Sequence, residues 1–120
     1  MTEQEVFDQV VAHLRKQGYR KSVDSTGNCA YRGNHGQMCA VACLLPNELS
    51  RTDLESRSAS WVCRQFTTEE WPASAHPDLL TKLQRIHDGH MENQTITEFN
   101  FKGLAKDFGL TYTPPQGVPA

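Results

Sequence analysis

Apolar residues near the start of the chain recur at three- and four-residue steps: Val6, Phe7, Val10, Val11 and Leu14. That spacing gathers them on one stripe of a helix. Thr2 and Glu5 make a capping-box pattern, each side chain reaching a free amide of the first turn. Gly18 supplies the left-handed stop after the last turn. A helix is therefore predicted from Glu3 to Gln17. Tyr19 to Asp24 reads as a short strand or an extended link, and Ser25-Thr26-Gly27-Asn28 as a turn. Cys29 to Arg32 and Gln37 to Val41 are expected to pair as a small hairpin around Gly33 to Gly36. A short helix, apolar on every side, should follow from Cys39 to Leu45, with Pro46 near its end.

The pattern is weakest from Asn47 to Pro72. Ser58 is placed as the cap of a helix carrying Ala59, Val62, Cys63 and Phe66, with Trp61 and Trp71 at its flanks. Beyond it, Pro77 suits a first helical position. Leu79, Leu80, Leu83, Ile86 and His87 share a face, and Gly89 can end that helix. Thr97 is read as the cap of a last helix with Phe101, Leu104, Ala105 and Phe108 on its stripe. Gly109 is its stop, and Leu110 folds back. The segment TYTPPQGVPA carries three prolines and no apolar period, so it is expected to be extended. The fold expected is α+β: a mostly helical single domain over residues 1–112. In it a small β-hairpin is packed by the N-terminal helix and the two C-terminal helices, and a flexible Pro-rich tail occupies 113–120.

Composition narrows the class. The chain has 120 residues, a formal net charge of -2 and a pI near 6.2. A broad electrostatic grip on nucleic acid is not expected from that balance. No apolar run approaches the roughly 20 residues of a membrane span. The N-terminus is acidic and amphipathic, unlike a signal peptide. The expected setting is a reducing cytoplasm, where four cysteines serve as thiols or ligands more often than as disulfides.

The candidate chemistry is concentrated between Asn28 and Pro46. Cys29, Cys39 and Cys43, with His35 or Cys63, would supply four zinc ligands. Their C-x9-C-x3-C-x19-C spacing lacks the paired C-x2-C knuckles of common zinc sites. Cys39 and Cys43 stand four apart, so a bridge formed on oxidation is a second reading. The plainest is that they are small buried hydrophobes. Cys39 beside His35 also makes a formal thiol-base pair, but no orienting carboxylate or oxyanion hole accompanies it. His87, Asp88 and His90 form a polar cluster at a helix end, where histidines complement the dipole without any ligand. Arg15, Lys16, Arg20 and Lys21 form a small basic group after the first helix, fit for phosphates or an acidic partner surface, or more plainly for the helix dipole and solvation. Trp61 and Trp71 would serve as interface anchors if exposed.

Taken together, MTEQEVFDQVVAHL, CAYRG, MCAVACLLPNEL and LLTKLQRIHD resemble a group of small uncharacterised proteins encoded by bacteriophages and prophages. The resemblance spans roughly residues 2 to 108, with Ala42 where the pattern has Gly and Asn47 where it has Asp. It implies a phage setting and carries no activity with it. The function expected is a small cytosolic protein that binds and inhibits or modulates a host macromolecule, such as a defence or transcription and replication protein. A host protein is the expected partner, and Trp61, Trp71, Arg15, Arg20 and Lys21 are the expected interface. No cofactor and no catalysis are expected. The alternatives are a zinc-stabilised module on Cys29, Cys39, Cys43 and His35, or a thiol-dependent enzyme.

Overall fold

The computed structural model describes residues 1–23, 25–26, 30–33, 36–50, 52–55, 57–90 and 93–115, with only the backbone of His90. Four α-helices carry the fold: α1 (Glu3–Lys16), α2 (Ala59–Cys63), α3 (Pro77–His90) and α4 (Gln94–Asp107). Between α1 and α2 the chain runs through 3-10 turns at Ala42–Leu44, Asn47–Leu49 and Thr52–Leu54, and a fourth at Pro72–Ala75 leads into α3.

The capping box of α1 forms: Thr2 Oγ1 accepts from the Glu5 amide, and Glu5 accepts from the Thr2 amide. At the other end Gly18 turns left-handed, and the Tyr19 amide donates back to Leu14 O while Gly18 donates to Arg15 O. The end of α4 repeats this arrangement, with Leu110 donating to Ala105 O and Gly109 to Lys106 O. Asn93, not Thr97, caps the start of α4 by accepting from the Ile96 amide. Thr97 lies one turn inside and is buried. Ser58 caps α2 as its type predicts, accepting from Trp61.

The core is the sum of the predicted stripes. Val6, Phe7, Val10 and Leu14 of α1 meet Leu79, Leu80 and Leu83 of α3, Phe101 and Ala105 of α4, and Val62 of α2. Each such side chain contributes roughly 1.5–3 kcal/mol by leaving water. Trp71 joins them at 1% exposure. Its indole N–H donates to Leu44 O at 2.9 Å, and Phe66 packs edge-on against its ring.

Among the described residues the expected hairpin does not form, and the fold is mostly helical with no sheet rather than α+β. Among the described residues, the segment predicted to form two strands has one isolated antiparallel bridge, Arg32 to Met38, and no sheet. Side chains of the surrounding elements have taken the bonds that neighbouring strands would have made. The Tyr31 and Arg32 amides donate to the two carboxylate oxygens of Glu55, at 2.8 and 3.4 Å. Met38 is held on both its polar groups by Gln17, whose Oε1 accepts from the Met38 amide and whose Nε2 donates to the Met38 carbonyl. Gln37 accepts from the Val23 amide, and Gln84 of α3 from the Val41 amide. With these groups satisfied locally, nothing selects a ladder longer than one bridge.

The helix expected from Cys39 to Leu45 contracts for a related reason. Pro46 pushes the residue before it into extended geometry, and Leu45 stands at φ -84, ψ 118. What remains is the 3-10 turn at Ala42–Leu44, preceded by a Cys43 amide bond to Cys39 O. The C-terminal segment is tied down further than its composition suggests. The Thr111 amide donates to Gln4, and Thr113 O accepts from Arg15. Residues 116–120, the rest of the expected tail, lie outside the described residues.

Gln17 substitutes for a strand, so its amide should be worth more than a surface glutamine. Gln17→Ala is expected to lower stability by about 1–2 kcal/mol, as befits a part-buried amide losing its partner while the Met38 carbonyl keeps His13 Nε2 at 3.0 Å. Gln17→Glu, which keeps the acceptor and loses the donor, should fall between; urea unfolding curves of the two variants measure both.

Candidate functional site

The expected metal and thiol residues do not assemble into a site among the described residues. No three His, Cys, Asp or Glu side chains of that set converge to hold an ion. Cys29 and His35 lie outside the described residues. Cys39 is buried and Cys43 half-buried, and both are free thiols, as is buried Cys63. Cys39 Sγ accepts weakly from the Ala42 amide, and Cys43 Sγ donates to Ala40 O, so both sulfurs serve the turn they sit in. Burial pushes the Cys63 thiol up to about 11 and the Cys43 thiol up to about 12, and raises Cys39 as well. Thiols so placed are poor nucleophiles at neutral pH.

His87 is fully buried. Its Nε2 accepts from the Ser22 amide at 3.2 Å, which places the ring proton of the neutral imidazole on Nδ1, facing Asp88 Oδ1 at 3.2 Å. Ser22, His87 and Asp88 thus lie side by side. However, Ser22 and His87 have no exposed surface, and the imidazole's acceptor nitrogen is spent on a backbone amide. The cluster ties Ser22 to α3 through its backbone amide. His90's side chain lies outside the described residues.

Arg15 is engaged. Its guanidinium gives Glu98 two hydrogen bonds, Nε to Oε2 at 2.9 Å and Nη2 to Oε1 at 2.7 Å. The same carboxylate accepts from the hydroxyls of Tyr19 and Tyr112, each at 2.7 Å. Burial alone would raise Glu98, but Arg15 and the hydroxyls of Tyr112 and Tyr19 outweigh it and hold the carboxyl below its usual range. Burial and the facing carboxylate push both tyrosines up to about 12. Tyr19 keeps a positive φ of 60, unusual for an aromatic residue, because both its amide and its hydroxyl are tied. Arg20 is exposed, and with Lys16, His13 and Met38 it lines a shallow basic hollow of about 420 Å³. Lys21 is half-buried.

The tryptophans divide. Trp71 belongs to the core and presents nothing to a partner. Trp61 is half-buried, and the Arg57 guanidinium lies over its ring, 4.4 Å from the centroid.

The apolar surface that remains lies elsewhere. Ile96 and Phe99 of α4 are 41% and 75% exposed, and Met1 is the other large hydrophobic exposed among the described residues. Both lie opposite the stripe that buries Phe101, Leu104 and Ala105, and Gly103 and Asp107 continue their face. Phe99, Gly103, Asn100 and Asp107 meet Lys82, Arg85 and Ile86 of α3 in an open groove of about 290 Å³. Gly103 sits at mid-groove with nothing within 4 Å of the place a Cβ would take. The sequence reading passed over these residues. The signal was there: a Phe and an Ile on the polar side of an otherwise amphipathic helix.

Two measurements test this assignment of roles. Glu98 is depressed in the folded chain, so its contribution is complete above the ordinary glutamate value of about 4.3 and is lost as pH falls through the folded value. Glu98→Gln is expected to cost roughly 1–3 kcal/mol at pH 7 and to flatten the acid limb of the stability-pH curve below pH 4.3. Brief iodoacetamide treatment at neutral pH, mapped by peptide mass spectrometry, should leave Cys39, Cys43 and Cys63 unmodified until urea unfolds the chain.

Compared with known proteins, the chain matches no family model, no curated protein and no solved structure.

Proposed function

We propose that this chain is a small binding protein of phage type that docks on a host protein and inhibits or modulates it, through the α3–α4 groove. The phage setting is supported by the motif resemblance. The binding role is supported chiefly by Phe99, an aromatic side chain three-quarters exposed beside a groove, in a chain that buries Trp71, Phe7 and Phe101. Aromatic anchors of this kind carry a disproportionate share of binding energy.

Gly103 adds to that reading. A glycine inside a helix costs about 1 kcal/mol relative to alanine. No contact within this chain requires it, whereas a second backbone lying across α4 would. The rim suggests the partner's chemistry. Lys82 and Arg85 outweigh Asp107 among the charges that line the groove, so the segment that fits is an amphipathic helix with an acidic flank directed at the two cations. No helix of the described residues is long and apolar enough to cross a membrane, which agrees with a protein partner reached from water.

A photoreactive amino acid placed at position 99, in bacteria expressing the chain, should crosslink to one discrete partner that the same group at exposed Glu69 does not capture. Phe99→Asp should abolish co-purification of that partner. Gly103→Ala should stabilise the free chain by up to about 1 kcal/mol and yet weaken the complex. Equal capture from both positions, or an unaffected complex with Phe99→Asp, would refute the reading.

A further inference from the structure

A second concavity, of about 380 Å³, lies between the start of α2 and the outer face of α3. Its volume falls within the range of small-molecule sites. Buried Tyr31 and Ala59 form part of its lining, and Arg57, Arg85, Thr81 and Asp88 supply its polar groups.

The charges in this cleft are unusual in their pairing. Among the described residues, neither guanidinium forms an ion pair with Asp88. Arg57 lies over the Trp61 ring, which holds its planar fork without neutralising it. The Tyr31 hydroxyl donates to the Arg57 carbonyl, so the backbone beneath that fork is fixed as well. Asp88 is oriented from within. Its Oδ1 accepts from Gln84 Nε2 at 2.9 Å and faces His87 Nδ1, whose ring is in turn held by the Ser22 amide. Oδ2 is left for another donor. Two arginines that form no ion pair among the described residues and a pre-oriented carboxylate thus border one cleft. Arginine forks match the oxygens of a phosphate, and with Asp88 counted the three groups leave the cleft a formal charge of +1, which attracts a phosphate without fully neutralising its dianion.

We infer that this cleft binds a small organic phosphate, with the phosphoryl oxygens on Arg57 and Arg85 and an N–H donor of the ligand on Asp88 Oδ2. A nucleoside monophosphate has the right size, an anionic end and such a donor. This site is separate from the partner groove, although Arg85 borders both.

Isothermal titration of the full chain with adenosine monophosphate, ribose 5-phosphate, inorganic phosphate and adenosine tests it. The two organic phosphates should bind and adenosine should not. Arg57→Gln and Arg85→Gln, both at exposed positions, should each weaken adenosine monophosphate by at least about tenfold, the loss of one charge-assisted contact. Adenosine monophosphate should bind more tightly than ribose 5-phosphate through its N–H donor to Asp88, and Asp88→Asn should remove that difference. Phe99→Ser, which removes the aromatic anchor without placing a charge near Arg85, should leave the titration unchanged, which separates this site from the docking face. Adenosine binding as tightly as its monophosphate would overturn the inference, as would titrations silent for every probe or indifferent to both arginine variants. Co-sedimentation with phosphatidylcholine vesicles doped with phosphatidic acid supplies the lipid arm. Retention there that adenosine monophosphate does not compete away would also overturn it, by assigning the arginines to a membrane headgroup.

Discussion

The fold depends on side chains of the helices doing the hydrogen bonding of a missing sheet. The described residues between 22 and 45 have little regular structure, yet their amides and carbonyls cannot be left unpaired where water is excluded. Gln17 from the end of α1, Gln84 from α3 and Glu55 from the loop before α2 reach in and close those bonds. Each is an amide or carboxylate on a flexible stem, able to imitate a backbone partner. The helices therefore hold the central segment directly, through its backbone, as well as through apolar contact. The positions of Cys39, Ala40, Val41 and Ala42 in the core follow from that grip.

A second anchorage closes the perimeter. Glu98 gathers Arg15, Tyr19 and Tyr112 onto one carboxylate, joining α1, the turn after it, α4 and the segment that follows α4. Four donors on one acidic group offset its desolvation, which is why it stays ionised beside two aromatic rings. Arg15, chemically suited to a partner, is consumed in this internal pairing. The basic group after α1 is thereby reduced to Lys16 and Arg20 facing outward with Lys21 half-exposed.

Among the described residues Cys39, Cys63 and His87 are buried and Cys43 half-buried. Toward solvent the chain presents the exposed Phe99 and Gly103 along the α3–α4 groove, and Arg57 and Arg85 at a small cleft between α2 and α3. Both surfaces are built on α3, whose inner face is fixed by Leu79, Leu80, Leu83 and His87. A rigid helix with one buried face can present two different outer edges without conformational cost to either.

The sequence by itself determined the helices with strong apolar periodicity and their caps. Thr2, Ser58, Gly18 and Gly109 act locally, through bonds spanning five residues or fewer, so their roles are written in neighbouring letters. It also determined that Val6, Phe7, Val10, Leu14, Leu79, Leu83 and Phe101 would form the core. Tertiary structure alone decided the fate of the central segment. Alternation and turn residues favoured a hairpin there, but Glu55, Gln17 and Gln84 arrive from distant positions and compete for the same amides. It likewise decided that Trp71 is core while Phe99 is surface, because residue type sets how much area a side chain can bury and not which neighbours are available to cover it. The pairing of Arg15 with Glu98, and the convergence of Arg57, Arg85 and Asp88, span too much sequence for any local pattern to reveal. Those contacts exist only once the helices have packed.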